Sequence, residues 1–153
     1  MRSKTIQRSV MGLLALAFLA GCGDGNSNDG RSDEKLMSGI WVGSVAKESD
    51  TCGTNLPGSF TFTHTVNQNG EAIVLTDQNG VQYLGNLVGT DGFSVDVAGS
   101  GTFLNQPCPA TQRFEYSDVD DDDDRTGTVN FRVIPQCPNQ VDCVVSFLGA
   151  ASR

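Results

Sequence analysis

Between Ser59 and Val66 the chain alternates without a break: Phe60, Phe62, His64 and Val66 on one side, Ser59, Thr61, Thr63 and Thr65 on the other. A period of two belongs to a strand with one face on a core and the other in water. The same period recurs along most of the chain. Residues 39–46 form a first such segment, and Ile73 to Thr76 a short one. Val81, Tyr83, Gly85 and Leu87 share a face of the next, followed by Phe93, Val95 and Val97. Phe114 and Tyr116, then Val129, Phe131 and Val133, then Val145 and Phe147, complete the set. Asn69-Gly70 and Asn79-Gly80 are strong hairpin-turn signals ten residues apart. Gly99 to Ala110, rich in Gly and Pro, reads as the longest irregular connection. No helical period appears after Cys22. Strands this one-sided must close on themselves or face a second sheet, because an open meander would expose its apolar side. The expected fold is therefore all-β, an antiparallel up-and-down barrel of about eight strands over residues 36–153. A β-sandwich is the alternative.

The start of the chain follows another logic. Arg2, Lys4 and Arg8 precede an apolar run from Val10 to Ala20, which ends in Leu19-Ala20-Gly21-Cys22. A run of about 11 residues suits a signal-peptide core and is too short for a bilayer of roughly 30 Å. The tetrad resembles the lipobox of bacterial lipoproteins. That resemblance implies removal of residues 1–21 and acylation of Cys22, which becomes the first residue of the mature chain and its membrane anchor. Residues 23–35 (GDGNSNDGRSDEK) hold no aliphatic or aromatic side chain. They cannot bury enough surface to offset ordering, so 22–35 reads as a lipidated flexible tether. In enterobacterial lipoproteins an aspartate directly after the cysteine retains the protein in the inner membrane. Here Gly23 holds that place and Asp24 comes one residue late. The implied address is the outer membrane, facing the periplasm or cell surface.

Gly39-Ile40-Trp41, at the start of the first strand, resembles the Gly-x-Trp signature of lipocalins and lipocalin-like proteins. The resemblance implies that Trp41 seals the closed end of a barrel and that an arginine near the last strand, by position Arg153, lies across its ring. Should the barrel bind a small apolar ligand, it would enter between the Phe60, Phe62 and His64 face and the Tyr83 and Tyr116 region, with Trp41 the sixth pocket candidate. The strands read as short, so a capacious cup is not expected. An eight-stranded barrel is either filled by side chains or just wide enough for one small ligand. The bulky inward set favours filling.

Of 153 residues, 10 are basic and 18 acidic, for a net charge of −8. Without Arg2, Lys4 and Arg8, the mature part keeps 7 basic and 18 acidic residues, a net of −11. Such a surface repels phosphate backbones, which excludes nucleic acid, and favours cationic partners. Apart from Cys22, the cysteines are Cys52, Cys108, Cys137 and Cys143, an even number that reads as two disulfides in an oxidising compartment. The five-residue spacing of Cys137 and Cys143 suggests a bridge across a hairpin mouth, which leaves Cys52 with Cys108. A zinc site is disfavoured, since no Cys-x-x-Cys pair occurs and His64 is the one histidine.

Asp118, Asp120, Asp122 and Asp124 mimic the first ligands of a calcium loop and could coordinate calcium weakly. Asp123 replaces the turn glycine, however, and Val129 stands where a bidentate glutamate belongs. The run 118–124 therefore reads as an acidic hairpin tip. No nucleophile elbow surrounds any serine, and the paired carboxylates lie in that solvated run, so no enzyme and no cofactor are expected. The reading is a non-catalytic, lipid-anchored envelope protein that binds a small apolar ligand or a cationic envelope partner. The alternative is an inhibitor or interaction protein acting through its outer surface and acidic loop.

Overall fold

The computed structural model describes residues 36–103, 105–120, 125–138 and 142–153. Cys22, the signal segment, the tether, Asp122 and Asp124 lie outside them. Eight antiparallel strands form a closed barrel in sequence order. They are β1 (Gly39–Asp50), β2 (Ser59–Asn69), β3 (Ala72–Thr76), β4 (Gln82–Leu87), β5 (Phe93–Phe103), β6 (Gln106–Ser117), β7 (Thr126–Pro135) and β8 (Val145–Ser152). The last strand pairs with the first, Gly43 opposite Ala151 and Val45 opposite Gly149, which excludes the sandwich. The period-two pattern is the cause. In β2, Phe62, His64 and Val66 are buried while the intervening threonines are exposed.

Several strands outrun their sequence signal. β1 continues to Asp50, and β5, β6 and β7 reach 11, 12 and 10 residues. The expected irregular passage from Gly99 to Ala110 is instead the far half of the β5–β6 hairpin, with Phe103 opposite Gln106 and Asn105 at φ 66°. Pro107 and Pro109 hid it. Both sit where β6 extends past its ladder with β7, whose register begins at Ala110–Pro135, so one strand edge there needs few donors. Val81, expected inside a strand, precedes β4 and is exposed.

One end of the barrel is closed. Leu36 to Ser38 cross it as a strap: the Leu36 carbonyl accepts from Arg125 Nη1 (2.9 Å) and Arg153 Nη1 (3.2 Å). Met37 N–H donates to Gln68 Oε1 at 2.7 Å, and the Met37 carbonyl accepts from Trp41 Nε1 at 2.9 Å. Trp41 is 0 % exposed and meets the Tyr116 ring edge-on at 5.5 Å. Arg153, which the Gly-x-Trp resemblance assigns to this tryptophan, is at this same end of the barrel. It lies along Gly39, whose φ of 149° is a backbone conformation that side chains rarely adopt, so glycine is favoured there. Val119, within the acidic run, is buried at this same end, and Asp120 N–H continues the hairpin to the Thr126 carbonyl at 2.9 Å. Within the run 118–124, Val119 is thus a core residue and not a solvated one.

Both disulfides lie at the opposite end, and their pairing corrects the expected one. Cys52 bonds Cys143, and Cys108 bonds Cys137. Barrel closure decides this. Because β1 lies against β8, Thr51 N–H reaches the Val144 carbonyl (3.1 Å) and Val144 N–H reaches Thr51 Oγ1 (2.9 Å), placing Cys52 beside Cys143. Because β6 lies against β7, Gln136 N–H donates to the Pro109 carbonyl at 2.8 Å and brings Cys137 to Cys108. The Cys52–Cys143 bridge spans 91 residues, so in the chain-entropy model it contributes roughly 4.5 kcal/mol. Non-reducing peptide mapping should recover Cys52 with Cys143. Replacing both by serine should lower the unfolding free energy by several kcal/mol; a Cys52–Cys108 peptide would contradict the closure.

Candidate functional site

Strand length determines where the barrel is hollow. β3 and β4 have 5 and 6 residues, whereas their neighbours β2 and β5 each have 11. β3 pairs with β2 only from Thr65 to Asn69, and β4 pairs with β5 only from Phe93 to Asp96. Away from the closed end, residues 59–64 of β2 and 97–103 of β5 therefore have no strand between them. A cavity of about 560 Å³ lies at this mouth. Its floor is aromatic: Phe60 meets Phe131 (5.5 Å) and Phe147 (5.2 Å) edge-on, and Phe131 stacks on Phe114 at 4.4 Å. Val133 and Ala110 add apolar wall, and Gln112 a single amide.

Two connections frame the mouth. The β1–β2 loop, Gly53 to Pro57, is folded around the Asp50 carboxylate. That carboxylate accepts from Cys52 N–H (3.1 Å), Thr54 N–H (3.1 Å) and Thr54 Oγ1 (2.7 Å), and pairs with Lys47 at 3.2 Å. Burial pushes Asp50 up, but the Thr54 hydrogen bonds and Lys47 outweigh it and hold the group below its ordinary value. Lys47 Nζ also donates to the Leu56 carbonyl at 2.8 Å, fixing the loop's far side. Opposite stand Ser100 to Phe103 and Asn105 of the β5–β6 hairpin. Among the described residues, none that lines the mouth is charged.

A smaller cavity of about 170 Å³ opens on the side, where β3 and β4 stop. Phe62, His64, Asp77 and Tyr83 line it, and it shares Phe60, Gln112 and Phe131 with the mouth. Tyr83 hydroxyl donates to Gln112 Oε1 at 3.1 Å. Of the six pocket residues expected from the sequence, Phe60 thus lines both cavities, and Phe62, His64 and Tyr83 line the side one. Trp41 and Tyr116 line neither and belong to the filled half. Gln112, Asp77 and the two mouth loops are site residues that sequence reasoning missed. Gln112 was signalled, as the one polar residue on the inward face Ala110, Gln112, Phe114, Tyr116.

His64 sits between the halves, 1 % exposed, stacked on Phe62 at 4.4 Å and edge-on to Phe114 at 4.5 Å. Its Nδ1 shares a 2.7 Å hydrogen bond with the Tyr116 hydroxyl. Burial lowers its pKa to about 4, against a weaker opposing pull from Asp77. Burial likewise drives Tyr116 upward, so that hydroxyl keeps its proton. A neutral, ring-packed imidazole of this kind is a core hydrogen-bonding group.

Among the described residues no group of three or more His, Cys, Asp or Glu side chains could hold a metal. Asp118 and Asp120 are described; Asp118 Oδ2 accepts from Ser117 Oγ at 3.0 Å. No family model, curated protein or solved structure matches the chain.

His64 supplies a pH test. An unfolded histidine binds its proton near pH 6.5, the folded one only near 4, so stability is full above 6.5 and falls with pH across that interval. The loss at pH 4 should be about 3 kcal/mol beyond the carboxylate contribution. Urea unfolding of wild type and His64→Gln from pH 7 to 4 measures it. Parallel curves for the two proteins would contradict the assignment.

Proposed function

We propose that this chain is a bacterial lipoprotein, acylated at Cys22 and held at the outer membrane, whose barrel binds a small apolar ligand through its mouth. The observation that carries the binding reading is the uncharged cavity of about 560 Å³ over an aromatic floor. Its size falls within the roughly 300–1,000 Å³ typical of small-molecule sites. Phe60, Phe131 and Phe147 offer apolar surface, while Gln112, Ser100, Thr102 and Asn105 offer a few uncharged hydrogen-bonding groups. The floor rests on a packed core and the rim on two disulfides, so the site is largely formed before ligand arrives. Preformed sites of this kind lose little affinity to ordering.

The anchor reading is supported by the basic start, short apolar run and lipobox ahead of Cys22. Three acyl chains at about 0.8 kcal/mol per buried methylene make attachment effectively permanent. The chain enters the barrel at the strap, the end opposite the mouth.

Two experiments test the two parts. Intact mass of the natively produced protein should show an acylated chain beginning at Cys22, and Cys22→Ser should release it from the membrane fraction. An unmodified thiol would overturn the anchor. For the mouth, Ala110→Trp places an indole in the cavity. It should weaken binding of neutral naphthylmethanol at least tenfold, with a melting temperature within a few degrees of wild type. Undiminished affinity in that variant would overturn the assigned site.

A further inference from the structure

Among the described residues, Asp77 is the one charged side chain lining either cavity. It opens the β3–β4 turn, and its Oδ1 accepts from Asn79 N–H and Val81 N–H, both at 2.8 Å. Oδ2 receives only a long 3.4 Å contact from Asn79 Nδ2. The ion pairs among the described residues are Lys47–Asp50, Arg113–Asp96 and Arg132–Glu115, and Asp77 belongs to none of them. The turn thus holds this carboxylate rigidly at the side opening with no cationic partner. Its field reaches the interior: it opposes the effect of burial on His64 and adds to the burial that raises Tyr83 to about 12.

The side cavity shares Phe60, Gln112 and Phe131 with the mouth, so the two adjoin across these side chains. We propose that the ligand is a cationic amphiphile, an amine or ammonium on an apolar body, with the body over Phe60, Phe131 and Phe147 and the charge at Asp77. This rests on the binding reading above and narrows its ligand class. Carboxylate–ammonium hydrogen bonds are stronger than neutral ones. Phe60 and Phe62 line the same cavity as Asp77, and aromatic rings attract cations. The net charge of −8 adds a long-range field that draws cations toward the barrel. An anionic amphiphile would meet an unpaired carboxylate and be rejected.

Three probes of one shape separate these statements: naphthylmethylammonium, naphthylmethanol and naphthoate, titrated by calorimetry into the exported Cys22→Ser chain. The ammonium should bind roughly tenfold tighter than the alcohol, and naphthoate most weakly. In Asp77→Asn the side-chain oxygen still accepts both backbone N–H bonds, so the turn and the melting temperature should persist. The affinity ratio of ammonium to alcohol should then fall to near one. Equal binding of ammonium and alcohol by wild type, or a preference surviving in Asp77→Asn, overturns the cationic assignment and leaves the apolar site standing. Failure of all three probes at millimolar concentration overturns both.

Discussion

The arrangement of this barrel depends on two hairpin strands being about half as long as their neighbours. β3 and β4 complete the wall beside the closed end and stop before the mouth, while β2 and β5 continue. A closed sheet normally leaves no edges unpaired. Here stretches of β2 and β5 are paired on one side only, and the room between them becomes cavity. Where the eight strands surround the interior fully, side chains fill it; where β3 and β4 are missing, they do not.

The two halves are held by different means. At the closed end, packing dominates: Trp41, Tyr116, Phe93 and Val129 are fully or nearly fully buried, and the strap through Met37 covers them. Gly43 belongs to this economy of space, since a Cβ there would stand 2.6 Å from Phe62 Cζ. At the mouth, where packing is thinner, covalent bonds and a hydrogen-bonded loop replace it. Cys52–Cys143 and Cys108–Cys137 tie the β1–β2 loop and strand β6 to the β7–β8 connection, and Asp50 gathers the donors of the β1–β2 loop. Stapled loops around an incompletely filled interior are consistent with a site that must stay open without collapsing.

Much of this was legible in the chain. Period-two alternation located all eight strands, and one-sidedness demanded either closure or a second sheet, a choice that the β1–β8 pairing settles. The two Asn-Gly turns, ten residues apart, already limited β3 to a few residues. What stayed hidden depended on long-range placement. Disulfide partners follow from which strand ends meet across the closed barrel, and local spacing pointed to Cys137 with Cys143 instead. Pro107 and Pro109 masked the end of the β5–β6 hairpin, because proline argues against a strand unless its ladder is known to be one-sided there. Phe60 and Tyr116 share the apolar inward face, yet one lines a cavity and the other is packed. Only the missing half-strands distinguish them.

The central claim is that one barrel contains a packed half and a hollow half. The most direct measurement is an amide and methyl chemical-shift map of the isotope-labelled chain titrated with neutral naphthylmethanol. Shifts confined to Phe60, Ala110, Gln112, Phe131, Val133 and Phe147, with Trp41, Phe93 and Val129 unmoved, are the predicted result. Shifts centred on Trp41, or spread evenly over both ends, would contradict it.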